Sequence, residues 1–275
     1  MSTSTVVVGA AIALLLLRVI GRSFFAKPAG MTLAEADAKI EDTAKNTIVK
    51  GIERLIDASH GAGREAPSSR DAFPPRDYAD VDAIWAELQR RGFNAPSTFD
   101  PAPRQHRPPE KRTISEFALS SDGTIVANVF TLRVESKPRA CLVLTSAGAQ
   151  RRAVTLSADT NTLPSDPAAV VTRLAFGTPA ATMLANHQAL SASLNESLHS
   201  FGSIDEFLDW RQVQTEKTRK YRISLGLEIF EPYLRAQFTG ERAVEATVYL
   251  QKIRAHPEWY KYSSGAEAPV DAAPE

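Results

Sequence analysis

The sequence predicts an α+β protein held at a membrane by one N-terminal helix. Three features carry this: an uncharged apolar run over residues 5–17, turn-bounded alternating segments over 113–159, and helical periodicity from there nearly to the end. The chain has 275 residues, enough for one large domain or two small ones. Its 32 basic and 32 acidic residues cancel, so no overall field draws it to nucleic acid, and no nucleic-acid partner is expected. One cysteine, Cys141, excludes an intramolecular disulfide and a cysteine-based zinc site.

Residues 1–30 are read as the anchor. Thr5–Leu17 alone rises only about 20 Å as a helix, short of a hydrocarbon core of about 30 Å. Val19, Ile20, Phe24 and Phe25 extend the run around Arg18 and Arg22, whose stems can snorkel, giving 21 residues. A cleavable signal peptide fits less well, because nothing basic precedes the run and Phe24 and Phe25 stand where small residues belong. A buried helix would start almost at the terminus, and an interfacial helix would need a polar face. Arg18, Arg22 and Lys27 all follow the run, so the positive-inside rule places the C-terminal part in the cytoplasm as a single-pass signal-anchor protein.

Residues 31–60 read as an amphipathic helix. Thr32 and Glu35 form a capping box, and Leu33, Ala36, Ile40, Ala44, Ile48, Ile52 and Leu55 make one apolar stripe. Residues 61–112 hold eight of the seventeen prolines and read as a linker, interrupted by one short helix from about Asp80 to Arg91 with Gly92 as its stop. Residues 113–262 read as the principal domain. Within it an antiparallel meander of about four strands, with a tight turn at Ser121-Asp122-Gly123 and Val129, Leu132, Val134, Leu142 and Leu144 in the core, packs with C-terminal helices. A helix starts at Thr178-Pro179 and keeps its period to Phe201. A second capping box, Ser203 with Glu206, opens another through Tyr221; Gly226 and Pro232 break the next; the last spans about Glu241–Ala255. Residues 263–275 have the composition of a disordered tail.

Chemistry-bearing residues are few. Cys141 opens an apolar strand and reads as core. Ser146 lies in TSAGA, which lacks the glycines of a nucleophile elbow. The histidines are His60, His106, His187, His199 and His256, and no His-Glu-x-x-His pattern occurs. Glu196 and His199 share one helix face in this reading, but a di-metal site would need a second such step, so neither a metal nor a cofactor is expected. Two basic clusters remain: Arg104, Arg107, Lys111 and Arg112 in the linker, and Lys217, Arg219, Lys220 and Arg222 near Tyr221, both suited to an anionic lipid surface.

The function these features favour is that of a membrane-anchored interaction or scaffold protein. Its N-terminal helix meets lipid and its α+β domain binds a protein or lipid partner. The alternative is a membrane-associated hydrolase or transferase with its site between sheet and helices. A pocket gathering His187 or His199 with Asp159 or Asp166 would mark the enzyme, and a shallow apolar groove would mark the binding module.

Overall fold

The computed structural model describes residues 32–57, 65–73, 78–100, 114–134, 137–157 and 163–266. In chain order these give α1 (Leu33–Asp42), a π-helical stretch (Thr43–Val49), α2 (Lys50–Asp57), β1 (Ala66–Pro67), a 3-10 turn (Arg70–Ala72), α3 (Ala79–Arg90) and β2 (Ser97–Asp100). There follow β3 (Ser115–Leu119), β4 (Val126–Val134), β5 (Lys137–Ala147), β6 (Arg152–Ser157), β7 (Ala169–Leu174), α4 (Ala180–Ala192), α5 (Ile204–Ser224), α6 (Phe230–Gln237) and α7 (Ala243–Ala255). No helix among the described residues is long and apolar enough to cross a membrane. The segment read as an anchor lies outside the described residues.

The chain is α+β, as expected, but it divides into two compact units. One lies within Met1–Asp57, Asn161–Pro164 and Lys220–Glu275, the other within Ala58–Thr160 and Ser165–Arg219. This division cuts across the 113–262 domain suggested by the sequence, because the amphipathic helix near the start joins the last helices.

In the larger unit the sheet has seven strands, in the order β1 to β7. This corrects the four-strand antiparallel meander. Every neighbouring pair from β1 to β6 is antiparallel, and β7 lies parallel to β6. The three extra strands escape sequence reading for physical reasons. β1 and β2 have two and four residues inside the proline-rich stretch, too few for an alternation to register, and Pro67 is tolerated because β1 is an edge. β7 is half-buried at nearly every position, so it lacks the in-out pattern that marks a strand. Within 61–112, the described residues 65–73 and 78–100 are therefore part of the fold.

Cross-strand register sorts the sheet's side chains. Ala118, Ala127, Val129, Leu142 and Leu144 face α3 and α4, meeting Val81, Trp85, Leu88, Met183 and Leu184. Phe117, Leu119, Val126 and Ala147 face the other way, toward Phe201, Phe207 and Leu208. The rings of Phe201 and Phe207 meet edge to face at 5.4 Å, and the Arg211 guanidinium stacks over Phe117 at 5.0 Å. Gly123 turns β3 into β4 at φ +71°, and a Cβ there would meet the Phe201 carbonyl oxygen at 2.5 Å, so only glycine fits.

In the smaller unit the Thr32–Glu35 capping box is present, with Glu35 N–H donating to Thr32 Oγ1 at 3.2 Å and Thr32 N–H to the Glu35 carboxylate at 2.7 Å. The stripe runs Ile40, Ala44, Ile48, Ile52 and Ile56, all buried, while Leu55, which the sequence assigned to it, is 50 % exposed. Spacings of four overshoot a 3.6-residue turn, and the π-helical stretch over 43–49 unwinds the helix enough to keep the row on one side. The row packs with Phe230, Leu234, Tyr249, Ile253 and Tyr260. Ser263–Ala266, assigned by sequence to the tail, belong to the fold: Gly265 N–H donates to Tyr262, and Ser263 closes on Gly226.

Candidate functional site

A cleft of about 570 Å³ opens in the larger unit between α3, β5, the end of β6, the loop after β7 and the start of α4. Gly177, at φ +80°, reverses the chain after β7, and the Thr178 hydroxyl fastens the turn by donating to Ala175 O at 2.8 Å. Pro179 then opens α4 without a side-chain cap. Alternation along β5 turns Ala140 and Leu142 into the cleft, and the helical period of α3 brings Ala83, Ile84 and Glu87 to the opposite wall. Phe176 supplies an aromatic edge. Of the charged lining groups, Glu87 is bound by Arg91 at 2.6 Å and Arg90 at 2.6 Å, and the Arg91 hydrogen bond with both positive charges holds its carboxyl below the usual range. Asp80 and Arg139 complete the lining.

Beside the cleft, the same face of the sheet buries a polar cluster. His187, on α4, lies 3.0 Å from Ser146 Oγ through Nε2 and 3.1 Å from Thr155 Oγ1 through Nδ1. All three residues are fully buried. Ser146 gives its one proton to the Thr124 carbonyl at 2.8 Å, so toward His187 it accepts, and the ring hydrogen sits on Nε2. Nδ1 then accepts from Thr155. Burial pushes His187 down to about 4, so the ring is neutral. A serine nucleophile needs the opposite tautomer, with a bare Nε2 to take its proton and a carboxylate behind Nδ1.

Two buried carboxylates are fully engaged. Glu116, on β3, accepts from Arg70 Nε at 2.6 Å and Nη2 at 2.8 Å, from Trp85 Nε1 at 2.8 Å and from Thr98 Oγ1 at 3.1 Å. This ties the 3-10 turn of the proline-rich stretch, α3 and β2 to one residue of the sheet. Asp166 accepts from Arg152 and from Thr218 Oγ1 at 2.6 Å. Burial acts to raise the Asp166 carboxyl, but these donors and the Ala168 N–H outweigh it and hold the group below its usual range.

No known family model, curated protein or solved structure matches this chain. Among the described residues, no group of three or more His, Cys, Asp or Glu side chains is arranged to hold a metal.

The sequence-derived candidates scatter. Arg104, Arg107, Lys111 and Arg112 lie outside the described residues, as do His60, His106 and Asp159. In the larger unit Lys217 is exposed, whereas Arg219 is buried and bonded to Glu216. In the smaller unit Lys220 is exposed, and Arg222 donates to the Pro164 carbonyl at 3.0 Å. Glu196 and His199 do not share a helix face, which corrects the expectation. α4 ends at Ala192, and Asn195 takes a left-handed φ of 52°. Glu196 instead caps the turn between β5 and β6, accepting from Gln150 N–H at 2.8 Å and from Arg151 N–H and Nε, and these donors pull it down to about 2. His199 meets Glu206 at 2.9 Å. Cys141 is buried as expected, and burial pushes its thiol up to about 11.

The sequence missed the Ser146–His187 pair and the Arg70–Glu116 pair, whose members are 41 and 46 residues apart without a motif. One signal was available for the first. His187 lies four residues after Met183, on the buried side of α4, so a polar partner had to lie beneath it.

Proposed function

We propose that this chain is a membrane-anchored binding module whose larger unit receives its partner in the cleft between α3, β5 and the start of α4. The carrying observation is the contrast between the two places where polar and apolar groups converge. The cleft is open, of ligand size and floored by Ile84, Ala140 and Leu142. Ser146 and His187, which have the spacing of a nucleophile and base, are sealed from solvent with the ring hydrogen facing the serine. That arrangement supports a structural role for the pair and binding as the work of the open site. The apolar run at residues 5–25 and the basic residues after it support attachment to a membrane, with the remainder on the cytoplasmic side.

The test is a photo-crosslinking side chain at Ala83, in the cleft wall, in the full-length chain in its native membrane. The expected result is one discrete adduct, absent when the same group stands at Val213, which is 54 % exposed and does not line the cleft. Equal labelling from both positions would refute the cleft as the binding site.

A further inference from the structure

We propose that the cleft receives an extended, uncharged segment of a partner protein, which adds as a short strand to the open edge of β5 at Ala140. This rests on the reading of the cleft as the binding site and names the form of its partner. The sheet supplies the first observation. β5 runs from Lys137 to Ala147 and pairs with β4 from Lys137 to Thr145, but its ladder with β6 covers only Val143 to Ala147. At Leu142 that ladder ends, and the Leu142 N–H donates to Ser157 Oγ at 2.9 Å instead of to backbone. Ser157 is the last residue of β6 and lines the cleft, so the cleft opens where β6 leaves the side of β5.

Second, this edge presents both kinds of backbone partner. The Leu142 N–H points away from β4, and alternate residues of a strand share an edge, so the Ala140 N–H and C=O point the same way. Neither has a hydrogen-bond partner among the described residues. Pro138, two residues earlier, presents its nitrogen and carbonyl to the same edge, and a residue without an N–H suits a strand side that has no neighbour. One donor and two acceptors at the repeat of a strand are the complement of another strand lying about 4.8 Å away. Third, the walls suit an uncharged one. Asp80 and Glu87 balance Arg90 and Arg139, so the lining favours neither an anion nor a cation. The residue opposite Ala140 on an added strand turns its side chain to the same face as Ala140, where Ile84, Leu142 and Phe176 offer apolar contact.

The test uses a mixture of acetylated, amidated hexapeptides in which threonine alternates with Ala, Val, Leu, Ile or Phe, retained on the full-length chain in detergent and read by mass spectrometry. Wild type should retain a subset of them. The best-retained peptide is then remade with N-methyl groups either on its threonines or on its other three residues. One set should weaken binding at least about twentyfold and the other less than about twofold, because only alternate N–H groups of an added strand face β5. Ala140→Pro, which removes the donor of the open edge and no bond to β4, should weaken the best peptide about fivefold, and Ala83→Trp, which fills the cleft from an exposed helix position, should abolish retention. Equal effects of the two methylated sets, binding unchanged by Ala140→Pro, or retention by wild type no greater than by Ala83→Trp would each overturn strand addition. The crosslink from Ala83 separates this from the reading beneath it. An adduct with a lipid, a small molecule or a second copy of this chain would overturn the partner strand and leave the cleft standing as a binding site, whereas the absence of a discrete adduct would remove the site itself.

Discussion

Acid should weaken the larger unit through His187, and the size of the effect follows from its surroundings. The ring is fully buried against three hydroxyls, those of Ser146, Thr155 and, at 3.4 Å, Ser191, with no carboxylate among the hydrogen-bond partners of either nitrogen. Its pKa falls from 6.5 to about 4 on folding. The unfolded chain therefore binds a proton that the folded chain refuses. Stability is fully present above about pH 6.5 and declines as the pH falls through the window between 6.5 and 4, by about 3 kcal/mol in all. Protonation would also give Nδ1 a hydrogen where it now accepts one from Thr155, so the Thr155 hydroxyl would have to turn and accept. The comparison is wild type against His187→Gln, whose amide can donate toward Ser146 and accept from Thr155. The assay is urea unfolding from pH 7 to pH 4, followed by hydrogen exchange of β5 and β6 amides so that only this unit is scored. The glutamine variant should be less stable at pH 7 by about 1–2 kcal/mol but lose less on acidification, because carboxylate titrations are common to both chains and cancel. Parallel pH curves for the two proteins would refute the argument.

Three further outcomes are expected. Arg70→Ala should destabilise the larger unit by about 2 kcal/mol, less than for a fully sealed pair because the Arg70 side chain is 34 % exposed, and Arg70→Met with Glu116→Gln should recover part of it in thermal unfolding. Glu196→Gln should lower the melting temperature at neutral pH. Its folded carboxyl lies near 2, so that contribution is complete above about pH 4.5 and fades as the pH approaches 2, where wild type and variant should melt together. Removing residues 1–27 should turn a chain that sediments with membranes into one that stays in the supernatant, and continued sedimentation would show a second membrane determinant.

Local physics made part of this structure legible. The Thr32–Glu35 box, the helix at 79–90 with its glycine stop, the Asp122-Gly123 turn and the start of α4 after Thr178-Pro179 are set by neighbours within four residues, and each stands where the sequence puts it. Buried positions such as Val129, Leu142 and Leu144 follow from strand alternation. Elements without a local signature were invisible: β1 and β2 are held by pairing to β3, and β7 by pairing to β6. Glu196 illustrates the cost of extrapolating a period. The pattern continued past Ala192, but Asn195 and the turn at residues 148–151 decided where that carboxylate went.

The secondary elements with strong periodicity, the balance of charge, the single thiol on an apolar strand and the apolar N-terminal run can all be read from the chain's order of residues, because they depend on composition and on residues a few positions apart. Packing alone shows that an early helix joins the last ones in one unit, that the proline-rich stretch lends strands to the sheet, and that Ala140, Ile84 and Arg139 line one cleft while Ser146 and His187 are sealed beside it. The physical reason is range. Register and helix packing join residues forty or more positions apart, and no local propensity encodes which partner a strand or a buried polar group will meet.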